Sequence, residues 1–223
     1  MTSWQAFHFD SVDSTNEAAK RLIQSNAIHG RAYVLAREQT AGRGQRGRLW
    51  LSPRDAGIYL TTVDFPNALP TPVTNLFTLG AGIACAEVLR ERTGVDVRLK
   101  PINDLYVDGR KLGGILTEAI LEQSNLRALI TGVGINLRRA ERILPSDHDH
   151  LQPICLEELM PHEPFVAMDV QDLILTLAKR IRHWNSLVCG QDFWMLDHEW
   201  RKYALSDHVK KPEGTGIGAH CLG

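Results

Sequence analysis

Two segments of the chain combine glycines with cationic side chains, and proteins use that combination to bind anions. The first segment spans residues 39–50. In it, three glycines alternate with three arginines: Gly42, Arg43, Gly44, Arg46, Gly47 and Arg48. Glycine lets the backbone approach a ligand closely, and the planar guanidinium of arginine matches the oxygens of a phosphate or carboxylate. The alternation predicts a loop that orders over an anion, although a solvated basic turn and a nucleic-acid contact have the same composition.

The second segment, at residues 103–115, places a polar pair ahead of a lysine and two glycines. The pair is Asn103 and Asp104, the lysine is Lys111, and the glycines follow directly after Leu112. A lysine ammonium is a compact positive charge. Together, the two segments indicate one fixed site for an anionic ligand.

The composition limits the classes of protein to which the chain can belong. A length of 223 residues with 43% hydrophobic content suffices for one domain with a sizeable core. The net charge of −1 argues against a general nucleic-acid or membrane-surface protein. Neither a signal peptide nor an apolar run of about 18 residues is visible. Four scattered cysteines without a Cys-x-x-Cys pair favour a reduced compartment, so we expect a cytoplasmic protein.

Hydrophobic periodicity predicts an α+β fold with a largely antiparallel sheet. Strands are expected at 4–10, 32–37, 57–63, 95–100, 105–107, 111–120 and 126–136, with an Asp108-Gly109 turn before the sixth. Helices are expected at 13–26, 71–94, 170–187 and 191–203. Residues 138–166, which contain four prolines, are expected to be irregular.

Several local features are also predicted. Ser14 and Glu17 fit a capping box at the start of the first helix. One apolar stripe is expected along the second helix, whose Gly80 and Gly82 are expected to pack closely against the sheet. The Asp-His-Asp-His run at 147–150 has metal-ligand chemistry, but a solvated loop is the better interpretation.

Five short motifs, in order along the chain, resemble those of the biotin protein ligases. They are Ser14-Thr15-Asn16, Gln39-Thr40-Ala41-Gly42-Arg43-Gly44, Asn103-Asp104-Leu105-Tyr106, Arg110-Lys111-Leu112-Gly113-Gly114-Ile115-Leu116, and Gly132-x-Gly134-Ile135-Asn136-Leu137. The resemblance runs from about residue 7 to residue 137 and, more weakly, to about residue 203. It implies an α+β fold in which helices flank a largely antiparallel mixed sheet, similar to the class II aminoacyl-tRNA synthetase core.

The resemblance implies an ATP-dependent ligase of the monofunctional type, without a DNA-binding domain. Such an enzyme activates biotin as biotinyl-5'-AMP and transfers it to a specific lysine of the biotin carboxyl carrier protein of acetyl-CoA carboxylase. ATP is then the co-substrate, Mg²⁺ the accompanying ion and biotin the substrate, with no tightly bound prosthetic group. The carrier protein is the expected partner, with no nucleic acid and no membrane, and the chain is expected to be a monomer or a weak homodimer.

The resemblance also implies roles for particular residues. Biotin would be bound by Ser14, Thr15, Asn16, Gln39, Arg43, Gly44, Gln45, Lys111, Gly113 and Gly114. ATP would be bound by Arg46, Arg48, Trp50, Asn103, Asp104 and Asn136. Lys111 and Arg43 are the implied catalytic residues, and Lys111 would stabilise charge as the acyl-phosphate bond forms. Asp104 is the implied magnesium ligand, because Mg²⁺ prefers a carboxylate together with phosphate oxygens.

The chain departs from the family pattern in three places. Lys100-Pro101-Ile102 stands where the family usually has Lys-Trp-Pro, so the tryptophan beside the nucleotide is missing. Gln45 stands where the family loop often carries arginine. Residues 1–205 are expected to form the catalytic domain, and 206–223 only a truncated remnant of a C-terminal SH3-like domain. No helix-turn-helix is expected ahead of Phe7, which favours the monofunctional type.

Three other functions fit parts of the sequence. A lipoate ligase or octanoyltransferase shares the implied fold and also modifies a carrier lysine, but the Gly-Arg-Gly-x-Arg-Gly-Arg loop favours the biotin enzyme. A truncated ligase that retains biotin or biotinyl-AMP but transfers weakly fits the shortened C-terminus. A basic nucleic-acid-binding protein rests on residues 43–54 alone, and the near-neutral net charge argues against it.

Overall fold

The structure is a computed structural model that describes residues 4–66, 74–122, 125–140 and 153–205. Within these ranges the chain forms seven strands: β1 Gln5–Phe9, β2 Ala32–Ala36, β3 Gly57–Asp64, β4 Arg98–Lys100, β5 Asp104–Val107, β6 Arg110–Glu122 and β7 Asn125–Asn136. The same ranges contain six α-helices: α1 Thr15–Gln24, α2 Thr74–Thr93, α3 Leu156–Leu159, α4 His162–Ala167, α5 Val170–Cys189 and α6 Phe193–Tyr203.

These strands form one sheet in the order β1-β2-β3-β7-β6-β5-β4. Among them, only β1 and β2 pair in parallel, and α1 links the two; every other neighbouring pair is antiparallel. The longest ladder joins β6 to β7, from Gly113 opposite Ile135 to Glu122 opposite Asn125. The predicted α+β fold with a largely antiparallel sheet is therefore confirmed.

Apolar side chains form a core on each face of the sheet. On one face, α2 and α5 cover side chains such as Leu60 and Val133, and α6 packs against both helices. On the other face, α1 covers Val34, Val63 and Ile130. Burial of such apolar surface stabilises a fold by roughly 25 cal/mol per Å². A binding site on this second face has to lie beyond the part of the sheet that α1 covers.

Helix α2 is buried on nearly all sides. Its residues from Leu76 to Leu89 are almost all buried, because the sheet, α5 and α6 surround it. The predicted single apolar stripe is therefore wrong, since a helix that is apolar all round belongs to an interior. Gly94, with φ at +71°, ends the helix as predicted. Although α2 is strongly apolar, neither it nor any other described helix is long and apolar enough to cross a membrane.

The two glycines inside α2 meet different neighbours. A Cβ on Gly80 would lie 3.2 Å from the Cβ of Trp184, so this glycine packs against α5 and not, as predicted, against the sheet. Gly82 does face the sheet, because a Cβ there would lie 3.4 Å from a methyl group of Leu99 on β4. The glycines thus allow α2 to fit closely between α5 and the sheet.

Two local predictions are wrong. Ser14 is the N-cap of α1, but its hydroxyl makes no capping hydrogen bond, and Glu17 pairs with Lys20 instead of completing a capping box. The segment at 138–166 is not wholly irregular, since it contains α3 and most of α4, and a proline such as Pro164 is tolerated in the first turn of a helix. The residues at 147–150 and the expected helix start at 71–72 lie outside the described residues.

A buried carboxylate ties the end of β3 to α5. Asp64 is 6% exposed, and it accepts hydrogen bonds from Arg182 and, at 2.8 Å, from the amide of Asn185. A carboxylate that leaves water is tolerated only when it is paired and hydrogen-bonded. These bonds therefore specify how α5 sits against the sheet.

We expect Asp64→Ala to lower the free energy of unfolding by about 3 kcal/mol, because it removes the partner of the half-buried Arg182 guanidinium and of the buried Asn185 amide. The matched control is Asp172→Ala, which removes an exposed ion pair with Arg92 and should cost at most about 1 kcal/mol. Urea unfolding followed by circular dichroism measures both changes. Equal losses in the two variants would contradict a stabilising role for the Asp64 cluster.

Candidate functional site

One pocket gathers the residues that the sequence singled out. Its volume is 820 Å³, in the range of small-molecule and cofactor sites. It lies over β6 and β7, between the start of α1, the arginine loop of residues 39–50 and the turn from β4 to β5. Its walls include every predicted site residue except Gly113: Ser14, Thr15, Asn16, Gln39, Arg43, Gly44, Gln45, Arg46, Arg48, Trp50, Asn103, Asp104, Lys111, Gly114 and Asn136.

The arginine loop is a short hairpin. The N–H of Trp50 donates to the backbone oxygen of Gly42 at 2.9 Å, and the N–H of Gly44 donates to that of Arg48 at 2.7 Å. At its tip, a 3-10 turn spans Gln45–Gly47. A Cβ on Gly42 would lie 2.4 Å from the backbone oxygen of Trp50, so the hairpin can close only with glycine there. Ordering of this loop over a ligand stays a prediction.

The first residues of α1 form a polar end of the pocket. The N–H of Thr15 donates to Oε1 of Gln39 at 2.8 Å, which joins the helix start to the arginine loop. Gln39 in turn donates from Nε2 to the hydroxyl of Ser52 at 2.7 Å. The hydroxyl of Thr61 lies 2.8 Å from that of Thr15 and 2.7 Å from Oδ1 of Asn16. The Thr61 hydroxyl has one proton, so it can donate to only one of these two oxygens at a time. Thr15, Asn16, Gln39, Ser52 and Thr61 are thus connected in one hydrogen-bonded network.

The amide of Asn16 is bound by the protein itself. Its Nδ2 donates to the backbone oxygen of Leu116 at 3.2 Å and to Oε2 of Glu118 at 2.8 Å, which uses both amide protons. The residue is 3% exposed and lies across Gly132, where a Cβ would sit 2.4 Å from Oδ1. Asn16 therefore braces the pocket floor and retains no amide proton for a ligand, and its contact with biotin stays a prediction.

Lys111 and Asp104 form an ion pair inside the pocket. Nζ of Lys111 lies 2.8 Å from Oδ1 of Asp104, and the side chains are 32% and 20% exposed. The contact is not aligned as a hydrogen bond, and Oδ1 has no hydrogen-bond donor among the described residues. The ammonium also lies 5.5 Å from the centre of the Trp50 ring, within reach of cation–π attraction. A cation and the carboxylate oxygen that pairs with it thus border the same space.

Two glycines leave a bare strand surface beneath Trp50. A Cβ on Gly134 would lie 2.5 Å from the indole Nε1, and a Cβ on Gly114 would lie 3.4 Å from its Cζ3. Gly113 points to the opposite face of the sheet, where a Cβ would lie 2.9 Å from a methyl group of Leu105. Gly113 therefore faces away from the pocket, because neighbouring residues of a strand alternate between faces, and a contact between its backbone and a ligand stays a prediction.

Asn136 and Asn103 line the pocket and are also bound to backbone groups. Nδ2 of Asn136 donates to the backbone oxygens of Ile154 at 2.9 Å and Lys111 at 3.3 Å, which fixes the strand that carries the lysine. The backbone oxygen of Asn103 accepts from the N–H of Ile115 at 2.8 Å. Contacts of these two residues with a nucleotide stay predictions.

Several residues that shape the site were not predicted. Lys100 lines the pocket and stands opposite Asp104 in the β4–β5 ladder, with its ammonium 5.4 Å from the centre of the Tyr106 ring. Its place ahead of the Asn-Asp pair was a usable signal. Asn75, at the start of α2, also lines the pocket. No motif marked Asn75, nor Ser52 and Thr61, which hold the polar end in place.

An ion pair steadies the start of α1. Hydrogen bonds from Arg21 lower the pKa of Asp13 to about 2, although burial acts in the opposite direction. Asp13 also accepts the N–H of Ser14 at 2.8 Å. Because the folded pKa lies below the ordinary value of 3.8, this stabilisation is present above about pH 4 and is lost as the pH falls toward 2.

A comparison with protein families bears directly on this pocket. Residues 8–136, which supply most of the pocket walls, match the model of the biotin/lipoate A/B protein ligase family. The chain belongs to that family. The matched region includes most of the residues that line the pocket.

Two curated members of the biotin/lipoate ligase family show the extent of the match. The chain is 31% identical over 200 residues to the bifunctional ligase/repressor BirA of Bacillus subtilis, a match that covers 89% of this chain. It spans 59% of the length of that relative. It is 30% identical over 208 residues to the biotin–[acetyl-CoA-carboxylase] ligase of Paracoccus denitrificans, which covers 92% of this chain and 83% of the relative.

Among solved structures, the biotin protein ligase of Aquifex aeolicus, in complex with biotin and ATP, has the same fold. Its TM-score is 0.71 at 27% identity, over 90% of this chain and 78% of the Aquifex chain. This likeness agrees with the mixed seven-stranded sheet flanked by helices described above.

We expect Gly132→Ala to destabilise the pocket floor, because the new Cβ would occupy the place of the Asn16 amide. Displacing that amide breaks its hydrogen bonds with Thr61, Leu116 and Glu118 and should lower the free energy of unfolding by about 1–3 kcal/mol. Gly30→Ala is the matched control, since a Cβ there has nothing within 4 Å, and it should cost less than about 0.5 kcal/mol. Urea unfolding of both variants tests this, and equal stability would show that Asn16 is not locked.

Proposed function

We propose that the protein is an ATP-dependent biotin–[biotin carboxyl-carrier protein] ligase. Biotin and ATP give biotinyl-5'-AMP and pyrophosphate, and the biotinyl group then passes to a lysine of the biotin carboxyl carrier protein of acetyl-CoA carboxylase. The observation that carries the proposal is the placement of Lys111, Asp104 and the arginine loop around one pocket of 820 Å³. Family membership and the similarity to named biotin ligases support it.

In the first step, the carboxylate of biotin attacks the α-phosphorus of ATP, and pyrophosphate leaves. Both reactants are anionic, so fixed cations are needed where charge accumulates on the transferring phosphate. Lys111 provides such a charge, because Asp104 holds its ammonium inside the pocket. Lys100 lines the same pocket and adds a second cation.

The polar end of the pocket suits the ureido ring of biotin. Thr15 and Gln39 offer a hydroxyl and an amide whose positions are fixed by contacts with Thr61 and Ser52. Within the described residues, Gln39 uses one proton of Nε2 on Ser52, which leaves the other for a ligand carbonyl. Groups fixed in advance lose little entropy when a ligand binds.

The adenylate is a mixed anhydride that water hydrolyses, so the site has to cover it. Arg43, Gly44 and Gln45 border the pocket and meet the biotin carboxylate and the α-phosphate, while Arg46 and Arg48 meet the remaining phosphates. In the second step, the amine of the carrier lysine attacks the acyl carbon. AMP leaves with the electron pair of the broken acyl–oxygen bond.

Trp50 and Asn136 border the part of the pocket assigned to the nucleotide. The Nε1 proton of Trp50 is buried and has no acceptor among the described residues, so a ligand acceptor would relieve a cost of about 1–3 kcal/mol. Asn136 uses its amide protons on backbone oxygens, so its carbonyl oxygen is the atom left for a contact with adenine or ribose.

Asp104 fits a Mg²⁺ site shared with ATP. Its carboxylate lines the pocket, where Oδ1 lies 2.8 Å from the Lys111 ammonium, and Mg²⁺ takes one or two carboxylates together with substrate phosphates. Asn103 lines the same wall. When bound, the ion neutralises charge on the phosphates, whereas Lys111 is the fixed positive charge of the chain itself.

The carrier protein is the macromolecular partner in this proposal, and the enzyme acts in the cytoplasm as a monomer or weak homodimer. Residues 1–205 as the catalytic domain, and 206–223 as a remnant of an SH3-like domain, stay predictions, since 206–223 lie outside the described residues. The alternatives are a ligase that keeps biotinyl-AMP but transfers it weakly, and a lipoate ligase or octanoyltransferase relative, which the matched family also includes by name.

We expect the protein to biotinylate a carrier domain. Incubation with biotin, Mg-ATP and a biotin carboxyl carrier domain should add one biotinyl group to the carrier, as read by mass spectrometry of the intact domain. Biotinyl-AMP without carrier modification would support the weakly transferring ligase. Modification with lipoate and not with biotin would sink the proposal.

We expect Lys111→Ala to slow formation of biotinyl-AMP by ~10²-fold or more, because it removes one fixed charge that stabilises the transition state. Biotin affinity should fall much less, since the charge acts on the transition state more than on the bound substrate. The control is Lys179→Ala, an exposed lysine on α5 that is remote from the pocket residues. Single-turnover formation of the adenylate is the measurement, and a rate near normal would remove Lys111 from the mechanism.

A further inference from the structure

Four charged side chains connect the arginine loop to the pocket floor; we refer to them as the charge chain. Nη1 of Arg43 lies 2.8 Å from Oε1 of Glu17, and Nζ of Lys20 lies 2.9 Å from the same oxygen. Lys20 also contacts Oε1 of Glu118 at 2.7 Å, and the other oxygen of Glu118 accepts the amide proton of Asn16. Positive and negative groups alternate along the charge chain, so each contact is attractive.

Glu17 is the member of the charge chain that contacts the arginine loop. It lies in the first turn of α1, directly after residues 14–16, which border the pocket, but it does not itself line the cavity. It therefore meets Arg43 at the pocket rim. The positive end of the helix dipole favours a carboxylate at this position.

The contact leaves most of the Arg43 guanidinium available to a ligand. Among the described residues, only Nη1 is hydrogen-bonded, and it is bonded to Glu17. Arginine has five N–H donors, so the others can meet an anion while Glu17 keeps its hold. Arginine loses much rotamer freedom when it is ordered. Contact with Glu17 removes part of that loss before a ligand arrives.

The rest of the charge chain holds Glu17 in turn. The side chains of Glu17, Lys20 and Glu118 are at most 30% exposed, so solvent ions screen them less than a free surface pair. Burial opposes the charge of Lys20, but its hydrogen bonds to Glu118 and Glu17 outweigh burial and raise its pKa. The carboxylate that meets Arg43 is thus itself fixed to α1 and β6.

We propose that Glu17 is a positioning residue, which fixes Arg43 at the pocket rim and thereby slows escape of the acyl-adenylate. This proposal rests on the proposed function, because the acyl-adenylate is the product of that reaction. Glu17 would contribute to the reaction although it does not line the pocket. Through Lys20 and Glu118, the same contacts join the arginine loop to the floor braced by Asn16.

The first test needs no ligand. Hydrogen–deuterium exchange of residues 42–50 is compared between the free wild-type protein and Glu17→Gln, which keeps the shape of the side chain but removes its charge. Exchange should become about twofold to fivefold faster, the effect of losing one partly exposed ion pair. Glu91→Gln is the matched control, because Glu91 also pairs with an arginine, Arg180, at 3.1 Å, and loop exchange should not change. Unchanged exchange in Glu17→Gln would overturn the proposal.

The second test follows release of biotinyl-AMP after a single turnover with biotin and Mg-ATP. Glu17→Gln should release it roughly twofold to fivefold faster, with Glu91→Gln unchanged. In an Arg43→Gln background, Glu17→Gln should have no further effect, because Glu17 acts through the arginine. Glu17→Asp retains the charge with a shorter reach and should fall between wild type and Glu17→Gln.

The outcomes separate this proposal from the proposed function. Slower release by Glu17→Gln would mean that Glu17 competes with the ligand for Arg43, which overturns the positioning role. Equal effects of Glu17→Gln with and without Arg43 would also overturn it. If the wild-type protein forms no adenylate at all, the proposed function fails, while the exchange measurement still decides whether Glu17 holds the loop.

Discussion

The absence of side chains at Gly132 and Gly134 is the constraint on which the pocket depends. The amide of Asn16 and the indole of Trp50 both lie within 2.5 Å of where a Cβ would be on these residues. Any side chain there would lift the start of α1 and the arginine loop away from the sheet. Strand β7 can offer this bare surface because β3 and β6 pair with it on both sides and keep it in place.

The pocket also balances its own charges. Lys111 pairs with Asp104, and Arg43 pairs with Glu17, so both implied catalytic cations are held by carboxylates. Such pairing orients a long flexible side chain and reduces the cost of keeping it in a partly buried site.

Much of the fold could be predicted because local patterns and tertiary structure agree. Alternating residues marked the strands, and Asp108-Gly109, both at positive φ, formed the predicted turn. The prediction of a single apolar stripe on α2 was wrong because the sheet, α5 and α6 surround the helix. A periodic pattern within the helix does not reveal how many elements pack against it. The capping box failed because Glu17 is engaged elsewhere, by Lys20 and a distant arginine.

The site was predictable where chemistry is concentrated in short motifs, and much less so elsewhere. The Gly-Gly pair was visible, but only its second member, Gly114, borders the pocket, because the strand alternates. The hydrogen bond between Asn16 and Glu118 joins residues 102 positions apart, and no local sequence pattern predicts it. Lys100 stands shortly before a recognised motif, and the pairing of β4 with β5 places it in the pocket wall.

The parallel β1–β2 pair has a consequence for how such a site can change. Because the two strands run the same way, the chain leaves both at one edge of the sheet, into α1 and into the arginine loop. The bridge between Val12 and Gln39 continues the pairing past the strand ends. Insertions in the arginine loop would therefore alter the pocket wall without shifting the register of the antiparallel ladder behind it. During evolution, the range of substrates can accordingly change without a change in the stability of the sheet.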